Sequence, residues 1–416
     1  MKKTLLTILT LLLALPAVAQ TDSVARKWSY KFHGFVNPVV WADSRQVVAG
    51  REGMMHFYPK PVELDGNSQD INDEPSLNML AITARVNLAV QGPDVLGAHM
   101  MGFVEGDFTG PTDATINTLR LRHAYIKMQR EKQSLLAGQY WYPMVIHEIM
   151  PMTQPLKMGA PFHPYARYNQ VRYSCNLGNW EAVAVAAFQL DNKSKGPNGG
   201  STEYITRSMV PEMNLQLRYK GERLFAGAAA NLLSIRPRSL DLNGDKVDTR
   251  YNSASFSIFG KYRWDNWTLK AQTLLSDNLY EGCTMGGYLE DYDAMGNTFS
   301  YRPFSWTTAW VDFSRNKGKW RPALFLGYGL NNNFGDTYST TETAYGRGFE
   351  MKSLWRVQPR INYIAGHGLS FMFDVEVTNA EYGKKVNDTP TTYHFVSDPD
   401  NRPTNIRLIL GAQYDF

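Results

Sequence analysis

The chain of 416 residues contains 20% charged and 13% aromatic residues and has a negative mean hydropathy, which excludes both a helical membrane protein and a disordered chain. Its formal net charge of +4 is too small for the basic footprint of a nucleic-acid-binding protein, so we expect no nucleic-acid partner. Two cysteines, Cys175 and Cys283, are too few for a disulfide framework, and we expect both thiols to be unpaired.

The first residues have the organisation of a secretory signal peptide. Two lysines precede an apolar run, which ends in the small-residue sequence Ala-Val-Ala at Ala19. We expect cleavage there, so that residues 1–19 form the signal peptide and the mature chain, residues 20–416, begins at Gln20. A glutamine at that position gives no support for a lipoprotein anchor. No later stretch approaches about 18 consecutive apolar residues, so a transmembrane helix is not expected.

Most of the mature sequence consists of segments of about 9 to 11 residues in which apolar and polar side chains alternate. This dyad pattern predicts β-strands with one apolar and one polar face. About sixteen such segments can be counted. The clearest cover 80–90, 213–220, 254–264, 267–275, 355–363, 369–378 and 404–416, and the weaker ones cover 29–41, 97–108, 118–128, 133–140, 167–175, 180–189, 223–232, 304–313 and 319–330.

The last segment shows the alternation most clearly. Ile406, Leu408 and Leu410 lie on one face of the predicted strand. Arg407 and Gln413 lie on the other face. A strand of this kind fits a wall between hydrocarbon and water.

The connections between the segments alternate between two kinds. Tight turns near 91–96, 129–133, 176–179, 220–223, 265–266, 314–319 and 365–368 alternate with long polar segments at 42–78, 141–166, 190–211, 233–253, 276–303, 331–348 and 379–402. Aromatic residues lie beside the short turns, as in the girdle of a membrane barrel. We therefore predict an all-β fold, a transmembrane antiparallel β-barrel of about sixteen strands with short periplasmic turns and long extracellular loops. The alternative, a soluble β-sandwich, needs no such alternation of connections.

The polar faces of the strands would line the inside of this barrel. A barrel of about sixteen strands is too wide for side chains to fill, so it leaves an aqueous channel. Basic residues outnumber acidic ones on this wall, and rings of basic side chains favour anions in a pore. Alternatively, the arginines pair with the wall carboxylates and leave little net field. The candidate pore-lining residues are Arg85, Arg120, Arg122, Arg172, Arg218, Arg263, Arg356, Arg360 and Arg407, with the acidic residues Glu105, Asp107, Asp374 and Glu376.

The segment 141–166 differs from the other long connections. It is rich in proline, methionine and aromatic residues and has few charges. A long apolar loop in water is unfavourable, so we predict that it folds back into the barrel and narrows the channel. Alternatively, it caps the mouth of the barrel or packs against a neighbouring subunit. Its candidate functional residues are Met144, His147, Glu148, Lys157 and His163.

The third and fourth predicted strands indicate a subunit contact. The outward face of the third strand is small and weakly lipophilic and includes Met100 and Gly102. On the fourth strand the alternation places His123 outward, where an imidazole in hydrocarbon is costly. Contact with another subunit would remove this cost, so we predict oligomerisation through the N-terminal strands. The opposite phase would instead place Arg120 and Arg122 in lipid.

Other motifs that could carry chemistry are weak. Asp241, Asn243 and Asp245 have the alternate spacing of a calcium loop, but the twelfth position is Asn252 rather than the glutamate that calcium needs. We interpret this segment as a polar turn, with weak calcium binding as the alternative, and expect no other cofactor. Neither a G-x-S-x-G nor an H-E-x-x-H pattern occurs, so we do not expect an enzyme.

Three sequence blocks resemble a known family. TARVNLAVQGPD, TLRLRHAYIKM and LLAGQYW, the last followed by a long loop, together with a terminal phenylalanine, are similar to the DcaP-like trimeric outer-membrane porins in a form found in Bacteroidota. The resemblance implies a sixteen-stranded channel, a trimer, a third extracellular loop that constricts the pore, and a preference for small anionic solutes. The sequence departs from the family in lacking an evident N-terminal coiled-coil extension before the first strand.

The functional expectation is a porin of the cell outer membrane. Small hydrophilic or anionic solutes would diffuse through it, and its other partners would be outer-membrane lipid and identical subunits. An outer-membrane barrel with an occluded lumen, acting as an adhesin or a structural protein, is the alternative. A TonB-dependent transporter is disfavoured because the sequence leaves no room for a plug domain before the first strand.

Overall fold

The computed structural model describes residues 27–110, 113–190, 192–293 and 295–416, so the signal peptide expected at 1–19 lies outside the described residues. Within these ranges, sixteen long strands form one antiparallel sheet in which each strand pairs with its neighbours along the chain. The first strand also pairs with the last, which closes the sheet into a barrel. The predicted all-β transmembrane barrel and its strand number are confirmed.

The barrel strands follow the chain in order. They are β1 (Ser29–Val36, continued by Val39–Asp43), β2 (Ser76–Leu80, continued by Arg85–Gln91), β3 (His99–Asp107), β4 (Arg120–Arg130), β5 (Gln133–Trp141), β6 (Arg167–Leu177), β7 (Trp180–Phe188), β8 (Glu212–Lys220), β9 (Leu224–Ile235), β10 (Tyr251–Arg263), β11 (Trp267–Ser276), β12 (Trp306–Arg315), β13 (Trp320–Asn331), β14 (Met351–Gly366), β15 (Leu369–Asn387) and β16 (Thr404–Asp415).

The long connections contain short elements of their own. These are the hairpin of Val47–Gly50 and Met55–Pro59, the pair Lys195–Gly196 and Gly199–Gly200, the three-stranded sheet of Gly286–Asp293, Thr298–Phe304 and Thr343–Arg347, the strands Tyr338–Ser339 and Thr392–Ser397, the helix Glu203–Ser208, and the 3-10 turns Asp113–Thr115, His147–Ile149 and Tyr280–Gly282. In the described part of the chain, no helix has the length and apolar character that crossing a membrane would take.

Closure of the barrel depends on β1, which pairs with β2 along one edge and with β16 along the other. Pro38 interrupts β1 because it has no N–H to donate, but its carbonyl accepts a hydrogen bond from Ala412 N at 3.1 Å. Gly34 and Phe416 exchange two backbone hydrogen bonds of 3.0 Å, so the terminal residue is part of the seam. A closed sheet leaves no unpaired edge in the hydrocarbon.

The two faces of the strands separate as the alternation predicts. On β16, Leu408 and Leu410 are exposed on the outside of the barrel, whereas Arg407 and Gln413 are buried on the inside. Trp180, Trp264 and Trp320 lie beside the short turns and are also exposed outward. The outside is therefore an apolar belt bounded by aromatic residues, as in an outer-membrane barrel.

The connections fall into the two predicted classes. The turns at one end contain two to seven residues, and the loops at the other end contain 12 to 32. One loop, residues 108–119 between β3 and β4, was not among the predicted long segments. It is the shortest of the eight loops within the described ranges, and the predicted strands 97–108 and 118–128 overlap its two ends.

A β-bulge in β4 corrects the predicted orientation of one residue. Glu105 lies opposite His123, whereas Gly106 lies opposite Leu121, so Arg122 is an extra residue in β4. The bulge reverses the alternation beyond it and turns His123 inward, where its side chain is buried. The prediction that His123 faces outward into a subunit interface is wrong. The alternation rule failed here because it assumes an uninterrupted strand.

The other two residues of the predicted interface, Met100 and Gly102, face outward as predicted. They lie on the outward face of β3, since Glu105 and Asp107 of the same strand point inward. Both outward residues are only partly exposed, and their place in an oligomer stays a prediction.

The bulge and its surroundings require a glycine at one position of β5. Gly138 has φ of +129°, and a Cβ atom there would lie 2.2 Å from the Ala124 carbonyl oxygen. We expect Gly138→Val to prevent or strongly destabilise barrel closure, while Ala137→Val, an outward change at the next residue, is tolerated. The fraction of folded barrel in each refolded variant is measured by its heat-modifiable mobility in gel electrophoresis. Equal folding of the two variants would contradict a requirement for glycine at position 138.

Candidate solute channel

The interior of the barrel contains the connection between β5 and β6, residues 142–166, here called the lumen loop. Most of its side chains are buried, and Tyr142, Ile146 and Phe162 have no exposed surface. It contacts inward side chains of β8, β11, β14 and β15, so it crosses the lumen from wall to wall. The loop therefore occupies the space that the barrel encloses.

Polar side chains of the wall hold the backbone of the lumen loop. Gln216 Nε2 donates to the Pro143 carbonyl at 2.7 Å, and Lys270 Nζ donates to the Met150 carbonyl at 2.8 Å. Arg356 donates to the Ala160 carbonyl at 2.7 Å. Asp374 accepts a hydrogen bond of 3.0 Å from the backbone N–H of Gln154. These contacts replace the water that an irregular backbone would otherwise need.

The predicted functional residues of the lumen loop have different environments. Met144 is buried, and its sulfur accepts a hydrogen bond from Asn214 Nδ2 at 3.2 Å. His163 is also buried, 5.6 Å from the Trp310 ring between centroids, and burial lowers its pKa to about 3, so it packs as a neutral ring. His147 is exposed. Only part of the predicted set therefore faces water.

Two charged residues of the lumen loop remain accessible. Glu148 accepts a hydrogen bond of 3.2 Å from Arg218, whose guanidinium overcomes the effect of burial and holds the pKa of Glu148 below its ordinary value. Lys157 donates to the Gln413 side chain at 2.5 Å and is half-buried. Burial, reinforced by the neighbouring Arg85 and opposed by Asp415, lowers the pKa of Lys157 to about 8.

A second segment also enters the barrel. The strand Met55–Pro59 is buried throughout and joins the apolar cluster of the lumen loop. Arg356 Nη2 donates to the His56 carbonyl at 3.2 Å and to the Phe57 carbonyl at 3.1 Å. The sequence predicts only a long polar connection at 42–78, so the burial of this part is a difference from the prediction. The aromatic run MMHFYP within it is the signal that could have revealed its burial.

Several predicted pore-lining arginines are paired and buried near the fourth strand. Arg122 lies 2.6 Å from Asp107 and 2.7 Å from Glu105. Arg120 also contacts Asp107, at 3.1 Å. All four side chains are buried. They brace the wall beneath the lumen loop rather than face open water.

Other arginines of the wall are also buried and paired with carboxylates. Arg360 lies 2.6 Å from Asp312 and Arg407 lies 2.7 Å from Asp43, two partners that the sequence had not indicated. Arg356 lies 3.4 Å from Glu376, as the alternative of paired wall arginines anticipated. Asp374, in contrast, accepts hydrogen bonds from Gln154 and Gln358 and has no basic partner within ion-pair distance in the described residues.

Other basic side chains on the inward faces are paired over longer distances or, within the described ranges, have no acidic partner. Arg85 and Arg218 contact carboxylates, Arg85 at 3.6 Å from Glu105 and Arg218 at 3.5 Å from Glu181. The unpaired set, with no carboxylate within ion-pair distance among the residues the structure describes, includes Arg172, Arg263, Lys261 and Lys270 of the wall and Lys157 of the lumen loop. Each is half-buried or exposed. The accessible part of the interior is therefore net positive.

Two lysines of this set face each other directly. Lys261 of β10 and Lys270 of β11 are paired residues in the sheet, on the same inward face. Like charges in directly opposed positions of a sheet repel each other and destabilise it. Lys261 lies 5.6 Å from the Phe225 ring, and Lys270 is held by the Met150 carbonyl of the lumen loop. The sequence does not predict this pair, because the strand register decides which residues of two strands lie opposite each other.

Aromatic rings line another part of the interior. Tyr125 lies 5.3 Å from Phe103 and 5.2 Å from Tyr140 between ring centroids, and His123 lies 5.1 Å from Trp141. These residues share the inward face only because the bulge in β4 reverses the alternation. No sequence pattern locates a bulge, so this cluster was missed.

The weak calcium candidate has a different structure from a cation loop. Asp241 Oδ1 accepts hydrogen bonds from the backbone N–H groups of Asn243 at 2.9 Å and Asp245 at 2.8 Å. The Asp241 carboxylate thus closes a turn of its own backbone, which supports the reading as a polar turn. Across the described ranges, no group of three or more His, Cys, Asp and Glu side chains is arranged to hold a metal ion.

The structure is similar to those of outer-membrane porins. No protein-family model and no curated protein matches the chain. The outer-membrane channel DcaP of Acinetobacter baumannii matches with 16% identity and a TM-score of 0.67 over 96% of this chain and 100% of its own. An anion-selective porin from Comamonas acidovorans matches with 10% identity and a TM-score of 0.59 over 94% and 100% of the two chains. The trimer form of OmpT from Vibrio cholerae matches with 9% identity and a TM-score of 0.53 over 94% and 100%.

These likenesses confirm the fold that the resemblance implied. The chain has the sixteen-stranded barrel fold of DcaP and other porins, and with its apolar outer belt it belongs in the outer membrane. At these identities the likeness concerns the fold alone, so solute preference and assembly are argued separately.

The role of Arg356 in holding the inserted segments can be tested by stability. We expect Arg356→Met to lower the free energy of unfolding by about 3–5 kcal/mol, because it leaves Glu376 buried without its partner. Arg302→Met, which removes a partly exposed ion pair with Glu342, should cost about 0–1 kcal/mol. Urea unfolding followed by tryptophan fluorescence compares the variants, and similar losses in both would argue against a special role for Arg356.

Proposed function

We propose that the protein is a passive porin of the outer membrane that conducts small hydrophilic solutes and prefers anions. The observation that carries the proposal is the pair of opposed lysines, Lys261 and Lys270, on an accessible inward face without a carboxylate within ion-pair distance in the described residues. Such a pair is unfavourable in itself, and a permeating anion offsets its repulsion. Among the structurally similar proteins is an anion-selective porin, which agrees with this preference.

The wall residues then divide into two roles. Arg85, Arg172 and Arg263 border the solute path together with the opposed lysines, because their side chains remain at least partly accessible. Arg218 is buried and holds Glu148 of the lumen loop at this path. The deeply buried arginines, with Glu105, Asp107, Asp374 and Glu376, stiffen the wall and hold the inserted segments. Selectivity by charge therefore depends on the unpaired cations rather than on the paired arginine rows.

The lumen loop would provide selection by size. It crosses the enclosed space and is attached to the wall at several points. His147 and Glu148 lie on its accessible surface, beside the unpaired cations of β10 and β11. Diffusion through the remaining opening needs no cofactor and no chemical reaction, so we propose that the protein is not an enzyme.

We also propose that the protein assembles as a homotrimer through its N-terminal strands. The outward face of β3 contains small residues such as Gly102 beside Met100, which would let a second barrel approach closely. A trimer form is known for OmpT of Vibrio cholerae, whose fold is similar. His123 takes no part in this interface, because it points into the barrel.

One observation favours a second function. The lumen loop and the strand Met55–Pro59 form a continuous apolar cluster inside the barrel, and most of its members are buried. If this cluster seals the lumen, the barrel acts through its long extracellular loops as an adhesin or a structural protein. Conductance of the purified protein in a planar bilayer separates the two functions, because a sealed barrel passes no current.

Selectivity tests the anion preference directly. For the wild type in a salt gradient, we expect a reversal potential with the sign of an anion-selective channel. Lys261→Gln with Lys270→Gln should lower the anion-to-cation permeability ratio about fivefold, because two charges at contact in water interact by about 1 kcal/mol. Lys317→Gln with Lys319→Gln removes the same number of charges from an exposed turn and should leave the ratio unchanged. A ratio that is unaffected by the double change would refute the assignment of the lysine pair.

Lys157 gives the channel a pH dependence. Its pKa of about 8 means that it is charged below that pH and becomes neutral as the pH rises through it. We therefore expect anion selectivity to decline between about pH 7 and 9. Lys157→Gln should reduce this decline and lower the anion selectivity at neutral pH toward that of the wild type at high pH. An equal decline in the variant would assign the titration to another group.

A further inference from the structure

Two buried carboxylates lie together near the extracellular end of the barrel. Glu212 begins β8, Glu281 lies in the 3-10 turn Tyr280–Gly282, and neither has exposed surface. Tyr142 connects them, because its hydroxyl donates to Glu212 Oε1 at 2.8 Å and its ring is so close to Gly282 that a Cβ there would lie 3.1 Å away. The two acids are thus brought together by the base of the lumen loop.

Several oxygen atoms at this place have no hydrogen-bond partner. They are both carboxylate oxygens of Glu281, Oε2 of Glu212 and the hydroxyl of Tyr168, which is itself fully buried. The Tyr168 ring lies 4.6 Å from the Tyr142 ring between centroids, and its hydroxyl interacts electrostatically with both acids. Four oxygens without partners therefore converge from three elements of the barrel.

The charge of this pair is also uncompensated. Among the described residues, no lysine, arginine or histidine nitrogen lies within ion-pair distance of either acid. Burial and the adjacent Glu212 raise the pKa of Glu281 well above its ordinary value. Buried carboxylates without a partner are unfavourable, so the site requires either protons or a cation.

We propose that Glu212 and Glu281, with the hydroxyl of Tyr168, bind a divalent cation of the Ca²⁺ class. A single shared proton would join at most two of the three free carboxylate oxygens, whereas one cation can contact all three together with the hydroxyl oxygen of Tyr168. Ca²⁺ takes oxygen ligands in irregular geometry and completes its shell with water. Cys283, the nearest soft ligand in sequence, already accepts a hydrogen bond of 3.3 Å from Asn192. The free donors are therefore those of a hard cation.

The bound cation would fix the base of the lumen loop. Tyr142 and Tyr165, at its two ends, contact the segment that carries Glu281, since Tyr165 N donates to the Gly282 carbonyl at 2.7 Å. A cation at the acids would join β6, β8 and the loop 277–305 around this point. It would act as a structural lock on the lumen loop and is independent of the solute that the channel conducts.

Terbium luminescence tests the site, because Tb³⁺ is a Ca²⁺ probe that is sensitised by adjacent tyrosine rings. The full chain, refolded in detergent and freed of metal with a chelator, is titrated with Tb³⁺ under tyrosine excitation. We expect saturable emission that Ca²⁺ displaces, and at least about tenfold weaker binding in Glu281→Gln and Glu212→Gln, which each remove a charged ligand. Asp245→Asn, at the other acidic loop, should bind as the wild type does.

Three results would overturn the proposal. They are no sensitised emission in the wild type, emission that both glutamine variants retain, and emission that only Asp245→Asn loses. Tyr168→Phe keeps the ring and the fold and removes only the proposed hydroxyl ligand, so it should weaken Tb³⁺ binding even if a glutamine variant fails to refold. Ca²⁺ should also raise the unfolding temperature of the wild type and not that of Glu281→Gln, whereas a protonated pair would show no Ca²⁺ effect in either protein.

Discussion

Hydrocarbon cannot form hydrogen bonds, and the rest of this structure depends on that constraint. Every backbone N–H and carbonyl in the membrane must find a partner within the sheet, so the sheet has to close on itself. Closure requires β1 to pair with both β2 and β16, across the interruption at Pro38. Once the sheet is closed, each strand has one face in lipid and one face in the interior. The polar faces then enclose a space too wide for their own side chains to fill.

Inserted segments of the chain fill this space, rather than side chains of the wall. Their backbone explains where the wall carries charged side chains. An inserted segment brings backbone carbonyls and N–H groups that have lost water, so the wall must offer donors and acceptors at those points. Arg356, Gln216 and Asp374 do so. A buried arginine is stabilised by a carboxylate partner, and Arg356, Arg360 and Arg407 pair with Glu376, Asp312 and Asp43. Lys261 and Lys270 have no carboxylate within ion-pair distance among the described residues, and Lys270 is held instead by the Met150 carbonyl of the lumen loop.

The sequence predicted those features that depend on alternation along a single strand. It gave the number of strands, the outward face of β16, the short turns and the apolar character of the segment 141–166. It did not predict features that depend on register between strands. His123 was placed on the wrong face because one extra residue, Arg122, reverses the phase of β4. The partners of Arg360 and Arg407 come from strands distant in sequence, so only the folded barrel shows them.

The two inserted segments are not independent of each other. Arg356 donates to the Ala160 carbonyl of the lumen loop and to the His56 and Phe57 carbonyls of the other segment. His56 in turn contacts Glu376, which is the ion-pair partner of Arg356. Moving either segment out of the barrel would remove carbonyl acceptors from the buried guanidinium of Arg356. The interior therefore behaves as one packed unit, in which the lumen loop and the strand Met55–Pro59 are held in place together.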